Sequence, residues 1–225
     1  MSGKTSIITI YDNYLADPRL KTGWGFSCLI RRSLGEGKLN ILFDTGADSS
    51  TLLFNMEKME ISPKEIDFVF ISHLHEDHIG GLSGILEMKS NLIVYKPDSF
   101  SGPTQITNGI WTTGPMGDKI KEQSLIIDSE KGLIIITGCA HPGIVNIIKK
   151  AKGMFPKKNV YLVLGGFHLT EASDSKLRGI IADFKELGVQ KVAPCHCSGD
   201  RCRELFKKEY GDGFIENGVG KIIQI

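Results

Sequence analysis

Short apolar, β-branched runs recur along the chain, each closed by turn residues: "SIITIYDN", "GFSCLIRR", "KLNILFDTG", "DFVFISH", "NLIVYKP", "SLIID", "GLIIITGCAH", "VYLVLGGFH", "KVAPCHC" and "GKIIQI". Their length and composition predict strands. Between several of them the apolar residues return at helical spacing, over 49–60 and in "IGGLSGILEMK", "GIVNIIKKAKGM", "DSKLRGIIADFKELG" and "RCRELFKKEY", while "LGEGK" and "SEKG" read as hairpin turns. Hairpins dominate the early and middle parts, and helices separate the later strands. That order predicts an α/β fold of two mixed sheets with helices on their outer faces. No linker or internal repeat divides it, so a single domain over 1–225 is expected. The stretch "PDSFSGPTQITNGIWTTGPMGDK" is rich in Pro, Gly, Ser and Thr and is expected to be a loop.

Charge narrows the function classes. Lys and Arg total 27 against 26 for Asp and Glu, a net charge of +1. Such a balance supplies no broad field for nucleic acid or an anionic membrane, which leaves a small-molecule substrate as the expected partner. No apolar run approaches the roughly 18 residues of a membrane span, and the N-terminal stretch has no apolar signal core, so a cytoplasmic location is expected. Five cysteines, an odd number, point to reduced thiols. Nothing in the sequence bears on oligomeric state.

The chemistry concentrates in "SHLHEDHIGG", which holds three of the six histidines. In an extended segment His73 and His75, at i and i+2, point to one side and can share an ion. The chain then turns into a helix, where Asp77 and His78 can face a second ion, and Gly80 and Gly81 let backbone pass close by. Imidazole and carboxylate donors suit zinc, with iron or manganese as alternatives, and paired ions roughly 3.5–4 Å apart clamp the oxygens of a displacement. A structural zinc site would close its coordination with thiolates, which this motif lacks. The other histidines, His141, His168 and His196, also follow apolar strands, and in layered α/β folds strand exits collect binding residues.

These residues resemble a known family. His73-x-His75-x-Asp77-His78 is similar to the signature of the metallo-β-lactamase superfamily, which implies an αββα sandwich with a one- or two-metal site. "DNY", "WGFS", "ILFDTG", "SHLHEDHIGGL", "EQSLII", "TGCAHPGIVN", "GGFHL" and "CHCSGD" together resemble the branch that contains the archaeal dihydropterin synthase of methanopterin assembly and related hydrolases. The resemblance implies that Asp44, at a strand end, orients the metal ligands and that His196 is the last ligand. The place of the family's usual aspartate reads Gly138-Cys139. His141, two residues on, is therefore expected to bind metal, with Cys139 beside it as a thiolate near the ions or as a small packing residue. His168 matches no usual ligand and is expected either to bind directly or to act on the substrate's leaving oxygen.

The expected enzyme is thus a hydrolase with two divalent ions, held by His73, His75, Asp77, His78, His141 and His196. Its metal-bound hydroxide attacks an ester, lactone or phosphoester, with Asp77 relaying the proton. The segment after "NLIVYKP" is shorter than in the synthase group, and position 75 is histidine where flavodiiron oxygen reductases have glutamate; both favour hydrolysis. A transferase of the dihydropterin synthase type is the first alternative. A non-catalytic metal-binding module built on Cys195, Cys197 and Cys202 is the second.

Overall fold

The structure is a computed structural model that describes residues 4–34 and 37–225; the tip of the hairpin expected in "LGEGK", Gly35 and Glu36, lies outside the described residues. In chain order the strands and helices are β1 (Thr5–Tyr11), β2 (Ser27–Leu34), β3 (Gly37–Phe43), α1 (Ser49–Lys58), β4 (Phe68–Phe70), α2 (Glu76–Ile79), α3 (Leu82–Met88) and β5 (Ile93–Tyr95). They continue with β6 (Thr104–Thr107), β7 (Ile110–Thr112), β8 (Leu125–Ser129), β9 (Gly132–Thr137), α4 (Ile144–Met154), β10 (Val160–Gly166), α5 (Asp174–Glu186), β11 (Val189–Cys195), α6 (Asp200–Tyr210) and β12 (Ile222–Gln224). The chain forms two compact units, Met1–Ser99 with Asn217–Ile225, and Phe100–Glu216. No helix among the described residues is long and apolar enough to cross a membrane.

The first unit is a six-stranded mixed sheet, β12-β1-β2-β3-β4-β5, antiparallel from β12 to β3 and parallel from β3 to β5. Strand alternation sends Ile8, Ile10, Leu29, Leu42 and Val69 to one face, where Leu52 and Met56 of α1 and Ile85 of α3 pack on them. Asp48 starts α1: its side chain accepts the Thr51 N–H at 2.7 Å and the Tyr11 hydroxyl at 2.8 Å. Of the helix expected across 79–89 the structure forms α3, while Gly80-Gly81 separate it from α2, which begins earlier, at Glu76. A Cβ on Gly80 would lie 1.9 Å from the Ala47 carbonyl oxygen, and one on Gly81 2.2 Å from that of Thr45. The close approach foreseen for these glycines is therefore made to the 45–47 loop, next to Asp44.

The second unit repeats the same pairing pattern in β6-β7-β8-β9-β10-β11: antiparallel as far as β9, then parallel. Its helices bury residues at i, i+3, i+4 and i+7, Ile144, Ile147, Ile148 and Ala151 in α4 among them, against Ile126, Leu133, Ile135 and Val163 of the sheet. The stretch expected to be a loop corrects that expectation, because it contains the β6–β7 hairpin. Thr104–Thr107 and Ile110–Thr112 are rich in β-branched residues, and the Asn108-Gly109 between them is a hairpin-turn pair, with Gly109 at φ 69°. Local turn chemistry outweighed overall composition.

Candidate functional site

In the first unit the parallel strands β3 and β4 deliver the candidate residues from their C-terminal ends. Asp44 follows β3 and is fully buried. Its Oδ1 accepts the Ser72 N–H at 2.7 Å, and its Oδ2 accepts the Ser72 hydroxyl and bonds His78 Nδ1, each at 2.7 Å. A carboxylate only accepts, so Nδ1 carries the proton and the lone pair of His78 sits on Nε2. His73 Nε2 lies 3.1 Å from His75 Nδ1, and the His73 ring is 4.2 Å from that of His78, centroid to centroid. Asp77 Oδ2 stands 3.8 Å from His78 Nε2. His73 and His78 are buried, Asp77 is half-buried and His75 is exposed.

This donor set fits a metal. A tetrahedral zinc with nitrogens at about 2.0–2.1 Å holds them roughly 3.3–3.4 Å apart, close to the His73–His75 separation. Asp44 adds to the fit, because a histidine that binds metal characteristically gives its other ring N–H to a carboxylate, as His78 does to Asp44.

In the second unit the ligand atoms of Cys139, His141 and His168 lie within 4.8 Å of one another, and so do those of Cys139 and His196. His196 follows β11 and is buried, His141 is half-buried, and His168, just past β10, is exposed. The structure thus gathers His168 with Cys139 and His141, its ring 4.7 Å from that of His141. Cys139 is common to both groupings. A residue the sequence reading did not single out organises this loop. Glu122 is 1% exposed, and its carboxylate accepts from Thr137 Oγ1, from the N–H groups of Cys139, Ala140 and His141, and from His141 Nδ1.

Backbone strain marks the same places. Of the five non-glycine residues with positive φ among the described residues, Asp44, Ala140, His168 and His196 belong to these clusters or adjoin them. Such conformations cost of order 1–3 kcal/mol and persist where the surroundings over-determine them. The hydrogen bond with Cys139 draws the Cys197 thiol down to about 5 against the opposing effect of burial, with His168 and His196 adding to it, and Cys197 in turn raises His168. Burial pushes the Cys202 thiol up to about 12. Cys202, on α6, packs into the core, and among the described residues no group of three or more metal-competent side chains includes Cys195, Cys197 or Cys202.

The family model of the metallo-beta-lactamase superfamily matches residues 25–148. The chain is 31% identical to the 7,8-dihydropterin-6-methyl-4-(beta-D-ribofuranosyl)-aminobenzene-5'-phosphate synthase of Methanocaldococcus jannaschii, with 89% of each chain covered. Among solved structures it is similar to Tm1679, a metal-dependent hydrolase of the beta-lactamase superfamily, with a TM-score of 0.83, 26% identity, and 98% of this chain and 99% of that chain covered. The metallo-beta-lactamase fold protein YhfI from Bacillus subtilis shares the fold at 15% identity, with a TM-score of 0.66 over the whole of both chains.

Proposed function

Since the chain belongs to the metallo-beta-lactamase superfamily, we propose that it is a metal-dependent hydrolase acting on an ester, lactone or phosphoester of a small molecule. The observation that carries this reading is the His73, His75, Asp77 and His78 cluster with Asp44 bonded to His78 Nδ1. Bound divalent ions would lower the pKa of a water to about 7 and polarise the oxygen under attack. His73 and His75 hold one ion in this reading. Asp77 and His78 hold a second, and Asp77, half-buried and acceptor-only when ionised, also takes the proton released during attack. In the second unit His141 and His196 are the proposed ligands, and His168, exposed beside His141, acts on the leaving oxygen.

The identity with the dihydropterin synthase supports a second reading, group transfer to a pterin. Against it, that alignment runs over 262 positions, more than the 225 residues of this chain, so the relative carries segments that have no counterpart here. Metal analysis of the purified protein, followed by a screen of phosphodiesters, lactones and thioesters with and without chelator, tests hydrolysis. Incubation with a pterin and a phosphoribosyl donor tests transfer. Chelator-sensitive turnover of a hydrolysable substrate is expected; coupled product without hydrolysis would replace this reading with the transferase.

A further inference from the structure

A buried carboxylate is costly unless its lone pairs are met, and Glu122, 1% exposed, has its own met by one short loop. Its backbone is fixed first: an isolated antiparallel bridge ties it to Met116, with Met116 N–H to Glu122 O at 2.8 Å and Glu122 N–H to Met116 O at 3.0 Å. From there Oε1 accepts Thr137 Oγ1 at 3.2 Å, Cys139 N–H at 3.0 Å and Ala140 N–H at 2.8 Å. Oε2 accepts the His141 N–H and bonds its Nδ1, both at 2.8 Å. The main-chain bonds alone would hold the 139–141 loop and its left-handed Ala140, at φ 60°. The bond to the imidazole does something else. An oxygen that only accepts requires a proton on Nδ1, which leaves the lone pair of His141 on Nε2.

We propose that Glu122 is a positioning residue that locks the His141 ring in orientation and in the Nδ1–H tautomer, so that Nε2 is the metal-binding atom. The metal role of Nε2 rests on the metal-dependent reading above; the tautomer does not. The first unit contains the same device, since Asp44 is buried, accepts a main-chain N–H from Ser72 and bonds His78 Nδ1. Each unit therefore holds one imidazole with a carboxylate that also anchors the loop around it. Such outer partners are typically worth 10–100-fold in metal affinity.

The test reads the tautomer directly. In metal-free, ¹⁵N-histidine-labelled protein at neutral pH, a long-range ¹H–¹⁵N correlation spectrum, with His141→Ala used to identify the peaks, is expected to show His141 protonated on Nδ1. Glu122→Gln presents an amide N–H to the ring and is expected to move the proton to Nε2, and to weaken zinc binding about 10–100-fold in chelator competition. Adding His141→Ala to that variant should cost little more zinc affinity. A wild-type ring protonated on Nε2 overturns the proposal, as does a folded Glu122→Gln protein with unchanged tautomer and zinc affinity. If Glu122→Gln does not fold, the wild-type spectrum decides. Failure of the hydrolase reading would appear as absence of turnover in the substrate screen and would leave the tautomer result standing.

Discussion

His78 Nδ1 lies 2.7 Å from Asp44 Oδ2, and both side chains are closed to solvent. The contact joins residues 34 positions apart, Asp44 at the end of β3 and His78 in the short helix α2 that follows β4, and the Asp44 carboxylate is shared with Ser72 immediately before His73. One carboxylate thus sets a ring and the start of the histidine-rich loop together.

Asp44→Asn leaves one amide oxygen where the carboxylate serves the Ser72 N–H, the Ser72 hydroxyl and His78 Nδ1, and so weakens the hold on the His78 ring. Zinc affinity is expected to fall about 10–100-fold, with a comparable loss in turnover. Chelator competition measures the first; an unchanged affinity in the folded variant would take Asp44 out of the metal machinery.

The pair His73 and His75, with ring nitrogens 3.1 Å apart, is expected to serve one ion. A protein carrying both His73→Ala and His75→Ala should retain one divalent ion fewer than the wild type. Equal metal content by elemental analysis would remove the pair from the ligand set.

Gly80→Ala forces a methyl group to within 1.9 Å of the Ala47 carbonyl. Overpacking of this kind typically costs about 1–3 kcal/mol, and here it pushes apart the loop carrying Asp44 and the helix carrying His78. Denaturant unfolding should show the loss, and zinc affinity should fall with it. Full stability in the variant would contradict the close approach.

Asp48 combines the α1 cap with the Tyr11 hydroxyl bond. Burial raises its carboxyl, but the bonds from Thr51, Ser50 and Tyr11 outweigh that and hold it at about 2. A carboxyl depressed on folding stabilises the protein above its ordinary pKa, and that contribution is lost as pH falls from about 4 to about 2. Asp48→Ala is expected to cost about 1 kcal/mol at neutral pH and less in acid, with Asp48→Asn between the two. Urea midpoints across that pH range check it; a pH-independent difference would count against the charge.

Cys202→Ala should leave metal content unchanged, since Cys202 lies in the core of the second unit. Loss of metal in that variant would revive the reading of Cys195, Cys197 and Cys202 as a metal-binding cluster.

Much of the candidate site's grouping was legible because its spacing is local. His73, His75, Asp77 and His78 announce themselves within six residues, and periodicity marked the strands that bring His141, His168 and His196 to strand exits. Asp44 stood out through the resemblance of "ILFDTG" to the family's first motif, but its partner did not, because the choice of His78 depends on the register of β3 against β4. Glu122 stood inside the "EQSLII" block of the resemblance, but nothing local to it gave it a role. A single acid before "QSLII" looks like a solvated loop residue, and only the folding of the 137–141 segment over it supplies its five donors. The β6–β7 hairpin was missed for the opposite reason: its Asn-Gly signal was present, inside a composition that pointed to a loop.

The C-terminal strand β12 pairs with β1, Ile7 opposite Ile223, and the Thr5 N–H reaches the Ile225 carbonyl. The first unit is therefore discontinuous, whereas the second draws all its strands from one unbroken stretch of chain. During synthesis on the ribosome the second sheet has all its strands in hand once β11 has emerged, while β1 waits for a neighbour made more than 200 residues after it. Contacts of such long sequence separation form slowly. The outer edge of β1 is thus an unpaired strand for most of translation, and the nascent chain must keep that edge from pairing with another copy until its own last strand arrives.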